Sequence, residues 1–297
     1  MEEKLRYKQI LGVVPILQTP FDHQRRIDSE SLRKVVEFNI VAGVDGLGIA
    51  LGSEIPRLRE EERDLVLTTV VDQTNGRIPI VMNTGGAGTD LAVFYSRRAE
   101  ELGADAAMVT PPPAADAGGV LKFFRDIEAS VDISVVIQDV AFAPVAPTLV
   151  AKIFEECTGV VSCKMETSPT PPRISNTIEA TQGAINVLGG AGANFLIEEL
   201  SRGSDGTMPF STTPSEFVEI CALYRSGKTE EAIALYNTRI GPICQLNRQI
   251  PGIALRVHKE ILKKRGLIET ARILEPLPVI DEFTRREIDA LLEQVIV

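Results

Sequence analysis

In the run VVSCKMET, residues 160–167, a lysine closes a stretch of small and apolar residues and a glutamate follows two places on. Strand side chains alternate between two faces, so Ser162, Lys164 and Glu166 are expected on one face and Val161, Cys163 and Met165 on the other. A lysine amine at the end of a buried strand could do one of two things. Paired with an acid it stays charged and inert; partly desolvated and deprotonated, it attacks a ketone and forms a Schiff base. Strand position leaves both open. Glu166 divides the same way, into a proton carrier or a plain counter-ion.

Other residues could serve such a lysine. Gln138, ending ISVVIQD, can donate and accept hydrogen bonds but cannot titrate, so it could orient a carbonyl or a water. Its neighbour Asp139 should point the other way, towards a structural role. Gly52 and Ser53 offer backbone N–H groups and a hydroxyl as an anion cradle, or else a cap or turn. Asn83 and Thr84, at the tip of another apolar run, either line a pocket or close a turn. LGGAGANF (188–195) is glycine-rich without dinucleotide-binding spacing, so Gly190 is read as making room for substrate. METSPTPPRI (165–174) reads as a stiff loop in which Arg173 could receive an acidic group. His23, His258 and the scattered Cys157, Cys163, Cys221 and Cys244 lack metal-ligand spacing. Neither a metal nor a cofactor is expected, and the thiols read as core residues.

The elements that must position these groups repeat. Short apolar runs (GVVPILQTPF, DGLGIALG, PIVMNTGG, DAAMVTPPP, ISVVIQDV, GVVSCKME, INVLGGAG, GTMPF) alternate with amphipathic stretches of helical length. Eight such units predict an α/β fold, a (β/α)8 TIM barrel over residues 1–213. From Pro214 only helical periodicity remains, giving a C-terminal helical extension over 214–297. A chain of 297 residues, 44% hydrophobic, can bury so large a core. In such barrels reacting groups sit at the carboxyl ends of the strands, and Lys164 ends the sixth.

The net charge of −10 argues against nucleic acid and acidic membrane surfaces as partners. The opening segment is broken by Pro15 and Gln18 and reads as neither a secretory signal nor a spanning helix. A cytoplasmic protein is expected.

The motifs supply a resemblance. TPF (19–21) after the first strand, GSEIPRLREEER (52–63) with Glu54, Leu58 and Glu62 at four-residue spacing, and Lys164 with Thr167 resemble the dihydrodipicolinate synthase and N-acetylneuraminate lyase family between about Leu11 and Gly266. The resemblance implies a class I lyase in which Lys164 condenses with a 2-oxo acid and the protonated imine acts as electron sink. It also implies a homo-oligomer, dimer or tetramer, for which the apolar positions after Pro214 offer surface. The chain departs from the family elsewhere. Leu51 and Gly52 stand where a threonine pair is expected, Gln138 replaces a tyrosine, Ala143 an arginine, and VTPPP (109–113) a tyrosine pair. These losses argue against true dihydrodipicolinate synthase activity and leave an aldolase or dehydratase, with an altered barrel that only binds a metabolite as the alternative.

Overall fold

A computed structural model describes residues 6–113 and 115–295. The first five residues, which open the segment read as no leader, and the final two of the extension lie outside the described residues. Eight parallel strands follow one another: β1 (Gly12–Val13), β2 (Leu47–Ile49), β3 (Ile80–Asn83), β4 (Ala106–Val109), β5 (Ser134–Asp139), β6 (Val160–Met165), β7 (Asn186–Gly189) and β8 (Gly206–Thr207). Between them run α1 (Ser29–Val41), α2 (Glu60–Thr74), α3 (Thr89–Glu101), α4 (Ala117–Glu128), α5 (Pro147–Glu156), α6 (Thr170–Ala180) and α7 (Leu196–Ser201), and α8 (Pro214–Arg225) follows β8. From β2 to β8 each strand pairs with its sequence neighbour, and β1 pairs with β8. The last seam closes through Leu17 N–H to Gly48 O and Gly48 N–H to Pro15 O, both 2.8 Å. A Cβ on Gly48 would lie 2.4 Å from Ile16 Cδ1, so a larger residue there would have to displace the tip of that side chain.

Strands covered on both faces read as unbroken apolar runs, and β4, β5 and β6 are buried throughout. Their outward residues, among them Val135, Ile137, Cys163 and Met165, pack under Phe124, Ile153 and Ile174. Inward residues Val81, Met108, Val136 and Leu188 fill the barrel, with Tyr7 and Ile10 in the same cluster. The lead-in is fastened to the strands, because Ser162 Oγ donates to Ile10 O and Ser134 Oγ to Lys8 O.

One expectation changes. The simple alternation of β6 fails at Val161: the register slips where Val135 pairs with Val160 and Val136 with Ser162. A β-bulge takes up the extra residue, and Val161 joins the interior cluster instead of the helix-facing one. Phe217, Ile220 and Cys221 of α8 share a core with Val13 and Leu32, and so does Ala232 of α9 (Thr229–Leu235).

The extension continues through a π-helical turn (Tyr236–Ile240) into α10 (Gly241–Asn247), α11 (Ile253–Lys264) and α12 (Glu282–Val295). Ile243, Leu246, Val257, Ile261, Ile288 and Leu291 of these helices form one cluster. The apolar positions read as subunit surface are largely used within the chain. Among the described residues no helix is long and apolar enough to cross a membrane.

Candidate active site

Lys164 stands at the carboxyl end of β6, inside the barrel and 3% exposed. Its Nζ lies 3.2 Å from Glu166 Oε1. Glu166 follows the strand but keeps its register, because its N–H donates to Asp139 O. The Gln138 carboxamide, paired with Lys164 across β5 and β6, donates Nε2 to Glu166 Oε2 at 2.7 Å. Gln138 is itself fixed: its Oε1 accepts from Asn83 Nδ2 and Thr110 Oγ1, both at 2.8 Å. With the carbonyl taken, only the amide N–H of Gln138 faces the carboxylate. Four consecutive strands, β3 to β6, thus build one polar chain ending on the lysine.

Gly190, expected to make room for substrate, makes room for Glu166. A Cβ on it would lie 2.4 Å from Glu166 Cγ and 3.0 Å from Met165 O. The next peptide also supports the carboxylate, with Ala191 N–H 3.4 Å from Glu166 Oε1. Opposite the polar chain the pocket is apolar, walled by Ile16, Leu51, Met208, Pro209 and Phe210, with Gly52 and Gly192 at its edge. Phe210 stacks on the His258 ring at 3.9 Å. His258 is buried between Thr212 and Asn247, and that burial pushes it down to about 3, so it stays neutral.

The remaining expectations divide. Gly52 lines the pocket. Ser53 turns away: its hydroxyl donates to Leu17 O and accepts from Ala50 N–H, fastening the turn after β2 to β1. Thr84 also turns away, accepting from Ser96 Oγ of α3 at 2.9 Å. Arg173 is no anion receptor, because α6 already begins at Thr170 of this segment and the guanidinium binds Asp139 through Nε at 3.1 Å and Nη2 at 2.9 Å. Asp139 also accepts from Thr167 Oγ1 and Val145 N–H, the structural role read for it.

Two features escape sequence reasoning. Ala191, Gly192 and Ala193 all have positive φ, 49°, 67° and 63°, a conformation costly for alanine. The extension holds them, with Tyr236 Oη donating to Ala193 O and Asn194 O at 3.0 Å and Cys244 Sγ 3.5 Å from Gly192 O. Behind β7, Glu199 is wholly buried, accepting from Thr170 Oγ1 at 2.5 Å while Oε2 has no hydrogen-bond partner. Gly189 leaves it space, since a Cβ there would lie 1.9 Å from that oxygen. Burial, opposed by the Thr170 hydrogen bond, pushes the Glu199 carboxyl up to about 7. Nothing in the spacing of LIEELS distinguishes it from a helix-surface acid.

A buried amine with a carboxylate at hydrogen-bond range suits carbonyl chemistry, and one family model spans nearly the whole chain. The dihydrodipicolinate synthetase family matches over residues 9–295. This chain is a member of that family. Members of the dihydrodipicolinate synthetase family are lyases, aldolases and dehydratases among them, and at that level this chain is a lyase. It is 27% identical to the L-2-keto-3-deoxyarabonate dehydratase of Azospirillum brasilense over 96% of this chain and 94% of the relative. It is 24% identical to the putative 2-dehydro-3-deoxy-D-gluconate aldolase YagE of Escherichia coli, over 96% of both. Its fold matches the dihydrodipicolinate synthase of Rhodopseudomonas palustris with TM-score 0.89 at 24% identity, covering 97% of this chain and 99% of that one. YagE in complex with pyruvate superposes as well, TM-score 0.89 at 23% identity, with coverage of 97% and 99%.

Proposed function

We propose that this family member cleaves or dehydrates a 2-oxo acid through an imine on Lys164, with Glu166 as proton carrier and Gln138 as its holder. One observation carries the reading: Lys164 Nζ and Glu166 Oε1 are 3.2 Å apart at the inner end of β6, and Gln138 pins the other carboxylate oxygen. In the forward direction Lys164 gives a proton to Glu166 and its free amine attacks the keto carbon. The carbinolamine hydroxyl takes a proton back and leaves as water, forming the imine. In an aldol cleavage the bond between the third and fourth carbons then breaks. Its electron pair moves into the protonated imine, and Glu166 accepts the proton of the hydroxyl that becomes the aldehyde. A positioned acid–base group of this kind is worth about a hundred- to ten-thousand-fold in rate. No tyrosine is needed, and Tyr236 is occupied with loop carbonyls.

The same ion pair supports the rival, a barrel that binds a metabolite without turnover. Incubation with pyruvate and borohydride, followed by intact mass, separates them: a gain of the reduced pyruvyl mass is expected, and no adduct would refute the imine. Dihydrodipicolinate synthase activity itself is disfavoured by Leu51, Gln138 and Ala143. An oligomer remains our expectation, resting now on Leu91 and Phe94 of α3, 39% and 50% exposed. A cytoplasmic location fits four cysteines of which none is in a disulfide.

A further inference from the structure

The cavity at Lys164 has a volume of about 50 Å³. One water needs about 10 to 15 Å³ of such space, so a head of pyruvyl size fills it and the rest of a substrate must leave. Leu51 walls this cavity and also a second one of about 290 Å³ at the ends of β3, β4 and β5. The second cavity is lined by Pro56, Ala87, Pro111, Pro113 and Phe142, and Phe142 is 59% exposed. The polar side chains on its lining turn to one another and to Gln138. Asn83 Nδ2 and Thr110 Oγ1 both donate to Gln138 Oε1. The Arg63 guanidinium lies 4.1 Å over the Tyr95 ring and donates Nη2 to Asn83 O. A hydroxylated chain entering here leaves its water partners and finds few replacements, at about tenfold in affinity for each unmatched hydroxyl. An aryl group loses nothing of the kind and gains contact with Phe142 and the prolines.

We infer that the substrate is a 4-hydroxy-2-oxo acid whose substituent on the fourth carbon is apolar, best an aryl group, and not the polyhydroxylated chain of a sugar acid. The position of its head rests on the Lys164 reading above; the choice of tail rests on the second cavity. Two measurements keep these apart. Trapping of wild type with pyruvate and borohydride reports on Lys164 alone. Calorimetric binding to Lys164→Ala, which forms no imine, compares 2-oxo-4-phenylbutanoate with 2-keto-3-deoxyarabonate and reports on the tail. The phenyl acid should bind this variant about tenfold tighter or more; equal affinities, or a tighter hydroxylated acid, would overturn the inference whatever the trapping gives. Phe142→Ser in the same background should reduce the preference about fivefold. A preference left intact by that change would also overturn the inference, and if light scattering then found the protein dissociated, Phe142 would be contact surface for a second copy.

Discussion

Two buried lysine–glutamate pairs among the described residues differ in what surrounds them. Lys259 of α11 lies 2.5 Å from Glu54 in the turn after β2, both side chains 0% exposed. Protein groups close it in: Lys259 Nζ donates to Arg272 O and lies 4.2 Å from the Phe21 ring centre, while Glu54 Oε2 accepts from Leu274 N–H. Burial outweighs the attraction of Glu54 and pushes Lys259 down to about 8. Desolvated as it is, Lys259 does not line the cavity that Lys164 and Glu166 share. Lys164 is almost as buried, but its partner Glu166 is 20% exposed and both line a pocket. Desolvation is therefore insufficient; a nucleophile also needs somewhere for the carbonyl to stand. One pair joins the extension to the barrel, and the other is the pair to which we propose the chemistry belongs.

Removing each lysine should separate the two roles. Lys164→Ala is expected to abolish turnover and borohydride trapping while its melting temperature stays within a few degrees of wild type; residual trapping would relocate the imine. Lys259→Ala leaves the Glu54 carboxylate without its counter-ion in the interior and should cost about 3–5 kcal/mol of stability in denaturant unfolding. Trapping by the folded fraction should persist. A loss below 1 kcal/mol, on the order of a surface pair, would mean that water reaches Glu54.

The site's carboxylate comes next in size. Glu166→Gln keeps shape and hydrogen bonding but cannot titrate, so single-turnover kinetics should find the step after imine formation slowed about a hundredfold. Normal product release would reduce Glu166 to a counter-ion, like Glu54. The smallest effect concerns Glu199, a buried acid held by the Thr170 hydroxyl. Its carboxyl is raised to about 7 in the fold, from 4.5. The native state therefore holds a proton that the unfolded chain releases, and stability falls as pH rises from about 4.5 through 7. Relative to Glu199→Gln, whose profile should be flat in that window, wild type should lose on the order of 1–3 kcal/mol between pH 5 and pH 8; parallel profiles would put a cation or a water beside that oxygen.

The barrel was legible because its strands are apolar runs punctuated at regular spacing, a signal carried by neighbours in sequence. Lys164 was legible because a charge at the end of such a run is anomalous. The motif that carries the family resemblance is structural here: Glu54 binds Lys259, Leu58 enters the core, and Glu62 accepts from Arg59 N–H at the start of α2. Ser53 and Thr84 misled because a hydroxyl at a strand tip has two faces to choose from, and only the packed neighbour decides. Thr110, Glu199 and Tyr236 stayed hidden because their partners lie 28, 29 and 43 residues away. The simple period-two count also erred at Val161 while giving the correct face for Lys164, since it began from the mouth end and never crossed the bulge.

That bulge has a consequence for how the gene can change. Counting from Val160, which faces the helices, strict alternation would turn Lys164 outwards; the one surplus residue at Val161 restores the parity that points it into the barrel. Point substitutions in β6 leave that count untouched. Loss of a single codon between Val160 and Ser162 would exchange the lysine's position with that of Cys163 or Met165, and an insertion in the same place would do likewise. The reading frame would survive and the chemistry would not, so the strand can drift in composition while its length is held to the residue.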